Sequence, residues 1–126
     1  MNERAYEGFA DWLRRISQSS PPPDDIAAHY FGLFESDGGY TAYLSGSREY
    51  DPGDDDWACR EDYVPAEKYF VLREGFTAGT DWREVQRAVV GLVRRFIESP
   101  GSSGSFLAGA SAVAVGFDDG DLERVA

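Results

Sequence analysis

Apolar residues recur at three- and four-residue spacing in two parts of the chain and alternate or cluster in short runs elsewhere. This change of period divides it into elements. Near the N-terminus Tyr6, Phe9, Ala10, Leu13 and Ile16 are separated by Glu, Asp and Arg, the pattern of a half-buried helix. Pro21-Pro22-Pro23 cannot continue that helix and reads as a short stiff connector. A second stripe comprises Trp82, Val85, Val89, Leu92, Val93, Phe96 and Ile97. Asp81 is its expected N-cap, and Glu84, three residues on, completes a capping box. This helix stops near Pro100, and Gly101-Ser102-Ser103-Gly104-Ser105 follows as a flexible loop or the lead-in to a short helical turn.

Between the two helices the period changes. AAHYFGLF (Ala27 to Phe34) and YTAYL (Tyr40 to Leu44) flank Asp37-Gly38-Gly39, a β-hairpin signature. Phe31 and Leu33 share one face, and Tyr40, Ala42 and Leu44 share one on the partner strand, so the two rows form a core wall. A third strand is expected around Trp57 to Cys59 and a fourth around Lys68 to Leu72. The acidic loop and the Glu61 to Pro65 turn connect them. AVAVGF (Ala112 to Phe117) alternates as a buried strand and runs into Asp118-Asp119-Gly120-Asp121. No internal repeat appears. The order helix, hairpin, two strands, helix, strand predicts one α+β domain over residues 1–126: a mostly antiparallel sheet of about five strands with the two main helices packed on one face.

At 126 residues with 42% hydrophobic composition, the chain can build a core without disulfide or metal staples. Its charge narrows the partners. Twelve Lys and Arg against 23 Asp and Glu give a net charge of −11, which repels phosphate backbones and anionic lipid surfaces. Direct nucleic-acid and membrane partners are therefore not expected. The same field draws in a basic protein and speeds encounter in a salt-sensitive way. A single Cys cannot close an internal disulfide. Glu3, Glu7 and Asp11 interrupt the region where a signal peptide needs apolar residues, and no apolar run approaches the roughly eighteen of a membrane helix. A cytoplasmic protein is expected.

The stretch YDPGDDDWAC, Tyr50 to Cys59, concentrates the candidate chemistry. Asp51, Asp54, Asp55 and Asp56 offer hard oxygen ligands. Counted from Asp51, however, the third residue is Gly53, the sixth is Asp56 where an EF-hand needs glycine, and the twelfth is Asp62, not Glu. An irregular metal site stays open, and the Asp118 to Asp121 turn is equally ambiguous. Acid and base catalysis needs a carboxyl held in an apolar pocket, whereas adjacent aspartates in a Gly/Pro loop are normally wet. Spacing alone favours a solvated turn. Cys59 and His29 would make a nucleophile and base, but acidic neighbours raise a thiol pKa. A buried structural cysteine and a packed histidine are expected instead. One His and one Cys exclude a Cys/His zinc site. Walker A, GxGxxG and GxSxG motifs are absent. No cofactor, metal or catalytic residue is assigned, and an enzyme is not expected. Tyr40, Tyr43, Tyr50, Trp57 and Tyr63 beside acids suit a binding surface; the plainer alternative puts most of these rings in the core, and is favoured for Tyr40.

Gly39-Tyr40-Thr41-Ala42-Tyr43-Leu44-x-Gly46-Ser47, followed by Tyr50-Asp51, Asp55-Asp56-Trp57-Ala58-Cys59 and the later Val115-Gly116-Phe117-Asp118-Asp119-Gly120-Asp121, resembles small bacterial immunity proteins, the partners of polymorphic or contact-delivered toxins. The likeness covers roughly Phe31 to Leu72 and the C-terminal strand. It implies a non-enzymatic cytoplasmic protein that binds and neutralises a cognate toxin, often by occluding its active site. Were that toxin a nuclease domain, its basic groove would accept an acidic loop as a phosphate mimic. The expected partner-binding set is Asp51, Asp54, Asp55, Asp56, Trp57, Glu61, Asp62 and Tyr63, with the acids steering and Trp57 or Tyr63 anchoring. Two alternatives remain: a metal- or carboxylate-dependent enzyme, which needs a pocket of desolvated acids, and a regulatory module with a concave aromatic pocket for a small ligand.

Overall fold

The chain folds as helix α1 (Glu3–Ser19), strands β1 (Ala28–Ser36) and β2 (Gly39–Ser47), a 3-10 helix (Asp55–Cys59), strand β3 (Tyr69–Thr77), helix α2 (Trp82–Glu98), and strands β4 (Ala112–Phe117) and β5 (Glu123–Arg124). The structure, a computed structural model, describes residues 3–36, 39–77, 81–98, 107, 110–117 and 122–125. The five strands form one sheet in the order β3-β2-β1-β4-β5. β1 pairs antiparallel with β2 from Ala28↔Ser47 to Ser36↔Gly39, and parallel with β4 from Ala28↔Ala112 to Leu33↔Phe117. Because β2 is antiparallel to both β1 and β3, strands β3 and β4 run the same way. The chain must therefore return along the sheet between them, which parallel strands achieve through a crossover, and α2 lies in that connection.

The two faces of the sheet are covered unequally. One carries the main core, in which Phe9, Trp12, Leu13 and Ile16 of α1 and Val85, Val89, Leu92 and Val93 of α2 meet Phe31, Leu33, Ala42, Leu44, Val113 and Val115. The expected core rows of the hairpin, Phe31 and Leu33 with Tyr40, Ala42 and Leu44, all lie here. Trp12 stacks on Phe70 at 5.3 Å between ring centroids and meets Phe9 edge-on at 5.7 Å. Its indole N–H donates to the Glu67 carbonyl at 2.7 Å, giving a buried polar atom the partner it requires.

The opposite face presents small residues on β1 and β4. Ala28, Ala112 and Ala114 leave room for the Trp57 indole, which packs there with Ala58 and Tyr30. That cover extends over only part of the sheet. On β3, Tyr69 is 54% and Val71 46% exposed.

Three expectations change. Trp57 to Cys59 forms a 3-10 helix and not a third strand. Asp54 captures the Asp56 N–H at the helix start, and this side-chain bond competes with extension as Asp commonly does. The fifth strand is instead β5, which pairs Ala114↔Arg124 and Val115↔Glu123. Trp82, assigned to the α2 core stripe, is 44% exposed, packs edge-on against Phe117 at 5.7 Å and lies beneath the Arg83 guanidinium at 4.8 Å. The rest of that stripe is buried or packed against the core. Asp81 caps α2 by accepting from the Arg83 N–H at 2.9 Å, one residue earlier than a capping box would place the bond. The loop expected at Gly101 to Ser105 and the Asp118 to Asp121 turn lie outside the described residues.

Candidate functional site

The acidic loop is shaped by its own aspartates. Asp51 Oδ1 accepts from the Gly53 N–H at 2.9 Å, and the Asp54 N–H donates back to the Asp51 carbonyl at 3.2 Å. Asp54 Oδ1 then accepts from the Asp56 N–H at 3.0 Å as the cap of the 3-10 helix. These bonds use one oxygen of each capping carboxylate and leave the charge outside: Asp51, Asp54 and Asp56 are exposed. Among the described residues, no Lys or Arg nitrogen comes within 4.0 Å of these three. Together with Glu49, Tyr50, Trp57 and Arg60 they line an open cleft of about 580 Å³. Arg60 is held by Glu49 at 2.9 Å and lies 3.7 Å from Asp62.

Two further acids of the expected set are internally occupied. Glu61 pairs with Lys68 at 2.7 Å, and Asp62 accepts from the Arg48 N–H at 2.9 Å. Asp55 opens the 3-10 helix. Asp51, Asp54 and Asp56 therefore stand clear, whereas Glu61 and Asp62 act partly as struts.

Neither expected anchor is presented to a partner. Trp57 is only 6% exposed and meets Tyr50 edge-on at 5.4 Å. Tyr63, 8% exposed, donates its hydroxyl to the Ser20 carbonyl at 2.6 Å and packs edge-on to His29 at 6.0 Å. Burial pushes the Tyr63 phenol up to about 12. Both rings are part of the packing that positions the loop, because an amphipathic aromatic in a loop gains more by covering the sheet than by facing water. Cys59 departs from its expected burial and is exposed. It ends the 3-10 helix, whereas Trp57 and Ala58 pack against the sheet. His29 is buried as expected, and burial pushes its imidazole down to about 4 against the opposing effect of a hydrogen bond to the Ser45 backbone. Tyr40 is in the core.

On the other flank of the 3-10 helix lies a second open cleft, of about 400 Å³, lined by Phe34, Tyr43, Ser45, Ala58, Cys59, Glu61, Lys68 and Tyr69. Lys68 Nζ sits 5.2 Å from the Tyr43 ring centroid and 5.3 Å from that of Tyr69. Phe34 completes the aromatic wall, 6.1 Å from Tyr69 and 6.3 Å from Tyr43. The Glu61 carboxylate, with the Tyr69 hydroxyl adding to it, holds the Lys68 ammonium above its ordinary pKa. Phe34, Lys68 and Tyr69 were not singled out from the sequence. The signal was the outward parity of Tyr69 and Val71 beside the inward Phe70 and Leu72, legible only once the covered face is known.

Among the described residues no group of three or more His, Cys, Asp or Glu is arranged to hold a metal ion, and no helix is long and apolar enough to cross a membrane. The chain matches no family model, no curated protein and no solved structure.

Proposed function

We propose that this is a non-enzymatic immunity protein: it binds a cationic protein, a cognate toxin, and neutralises it by covering the toxin's basic working surface. The observation that carries this is the loop of Asp51, Asp54 and Asp56: all three side chains are exposed, those of Asp51 and Asp54 are fixed by bonds to the loop's own backbone, and no Lys or Arg among the described residues pairs with them. A chain of net charge −11 that also pre-orders an acidic projection meets a basic surface quickly and with little ordering cost. An acid catalyst would need one of these carboxyls desolvated, and all three face water. A cytoplasmic location accords with neutralising a toxin before it acts on the cell's interior.

The test is capture by the immobilised protein from lysate of its source cell, followed by an activity assay on what is captured. The expected result is a basic protein, released by salt, whose toxicity on expression is abolished by co-expression of this chain. Asp51→Asn/Asp54→Asn/Asp56→Asn should slow its association and flatten the salt dependence. Association unchanged by the three substitutions would remove the steering role. A captured protein whose toxicity persists would remove the immunity role.

A further inference from the structure

The cleft between the 3-10 helix and β3 has the composition of a cation receptor, and its present occupant belongs to the chain itself. Three rings, Phe34, Tyr43 and Tyr69, form one wall within 6.4 Å of one another, and Glu61 supplies a carboxylate 2.7 Å from the seated ammonium. Ring faces attract cations within about 6 Å of their centroids, and Lys68 meets that criterion on two of the three. Tyr43 packs in part against the Trp57 cluster, but core packing does not account for the whole wall. The rings lie on the sheet face that the helices do not cover, and Tyr69 is more than half exposed. Exposed aromatic surface beside acids is the composition of a binding patch.

We propose that this cleft receives a lysine or arginine side chain from a protein partner, with Lys68 as an intramolecular stand-in that swings out when the partner's cation enters. Charge complementarity names the occupant. Ala58 and Cys59, which line the cleft, belong to the 3-10 helix that Asp54 caps and that carries the exposed Asp56, so a basic surface drawn to those carboxylates arrives with cations next to the rings. Lys68 can leave without disturbing the fold. Its backbone carbonyl accepts from the Leu44 N–H at 3.1 Å whatever its side chain does, and its Nζ is tethered by a flexible four-carbon stem. Its ion pair with Glu61 involves side chains 23% and 46% exposed, so both partners keep access to water, and Glu61 is handed to the incoming group. A guanidinium would gain stacking on the rings that an ammonium lacks. As a contact made by the same cationic partner, the cleft deepens the reading given above and rests on it, but its chemistry can be tested without that partner.

The experiment is a titration of tetramethylammonium chloride into the intact chain and its Lys68→Ala variant, at ionic strength held constant with sodium chloride and followed by NMR shifts of the Phe34, Tyr43 and Tyr69 ring signals. Emptied of its stand-in, Lys68→Ala should bind saturably, roughly tenfold more tightly than the parent. Adding Tyr69→Ala to it should cost about the same factor, as expected for losing one ring face. Lys68→Gln, which keeps a polar stem of similar length, is the second variant should Lys68→Ala alter the fold. Equal binding to parent and variant, no saturable shifts, or indifference to Tyr69→Ala would each mean that Lys68 and the rings form an internal contact only. Cation binding in Lys68→Ala alongside a captured toxin indifferent to the three aspartates would leave the cleft standing and overturn the steering loop. The reverse pair of results would do the opposite.

Discussion

The ring of Tyr43 fills the space a side chain on Gly32 would need: a Cβ added to Gly32 would fall 2.0 Å from Tyr43 Cζ and 2.2 Å from Cε2. The two residues are register partners on β1 and β2, so the glycine trades strand propensity for a seat under an aromatic ring. Tyr43 is also one wall of the cation cleft. Gly32→Ala should therefore destabilise the protein by about 1–3 kcal/mol, the usual cost of overpacking, and weaken tetramethylammonium binding to Lys68→Ala in the same background. Chemical denaturation and the NMR titration measure the two effects.

Asp54 has two roles that substitution can separate. As the cap of the 3-10 helix it accepts from the Asp56 N–H, and as an exposed carboxylate it adds to the loop's field. Asparagine caps about as well as aspartate, whereas alanine costs roughly 0.5–2 kcal/mol. Asp54→Asn should leave urea-unfolding stability unchanged, while Asp54→Ala should lower it towards the small end of that range because the helix is short and exposed. Both should slow association with the cationic partner alike if charge, and not loop order, governs encounter.

Trp12 and Arg15 both reach Glu67, yet they should differ sharply in energetic weight. Arg15 makes two contacts to the carboxylate, 3.0 and 2.7 Å, but both side chains are about half exposed, and such pairs contribute about 0–1 kcal/mol. Trp12 makes one bond to the Glu67 carbonyl at 2.7 Å from a fully buried ring. Trp12→Phe removes that donor and leaves a gap beside Phe70, for a loss of about 1–3 kcal/mol. Equilibrium denaturation should find the loss in Trp12→Phe larger than in Arg15→Ala.

His29 makes the stability depend on pH. Its folded pKa of about 4 lies below the ordinary 6.5, so the folded state favours the neutral ring and the unfolded chain takes up the proton first. The contribution is fully present above pH 6.5 and is lost as pH falls from 6.5 through 4, on the order of 3 kcal/mol in all. Stability measured across that window should fall less for His29→Gln than for the parent, once both are referred to their own values at pH 7.

Both helices, the hairpin with its inward rows, β4 and the α+β layering are legible in the sequence, because the period of apolar residues reports how each segment meets a single covering layer. Phe31 and Leu33, or Val85 and Val89, face a core wherever that core comes from. The expected strand at Trp57 was mistaken because its neighbourhood is decided elsewhere: Ala28, Ala112 and Ala114, distant in sequence, leave the space its indole occupies, while Asp54 turns the backbone locally. Composition likewise sets an acidic loop, but only tertiary packing sorts its members. Asp51, Asp54 and Asp56 face water, Glu61 and Asp62 are tied to other segments, and Trp57 and Tyr63 turn inward. Strand order, the parallel pairing of β1 with β4, and the open face of β3 that exposes Tyr69 belong to the same category. Periodicity records that a side chain is on one face or the other, and the assembled layers alone decide which face is left open.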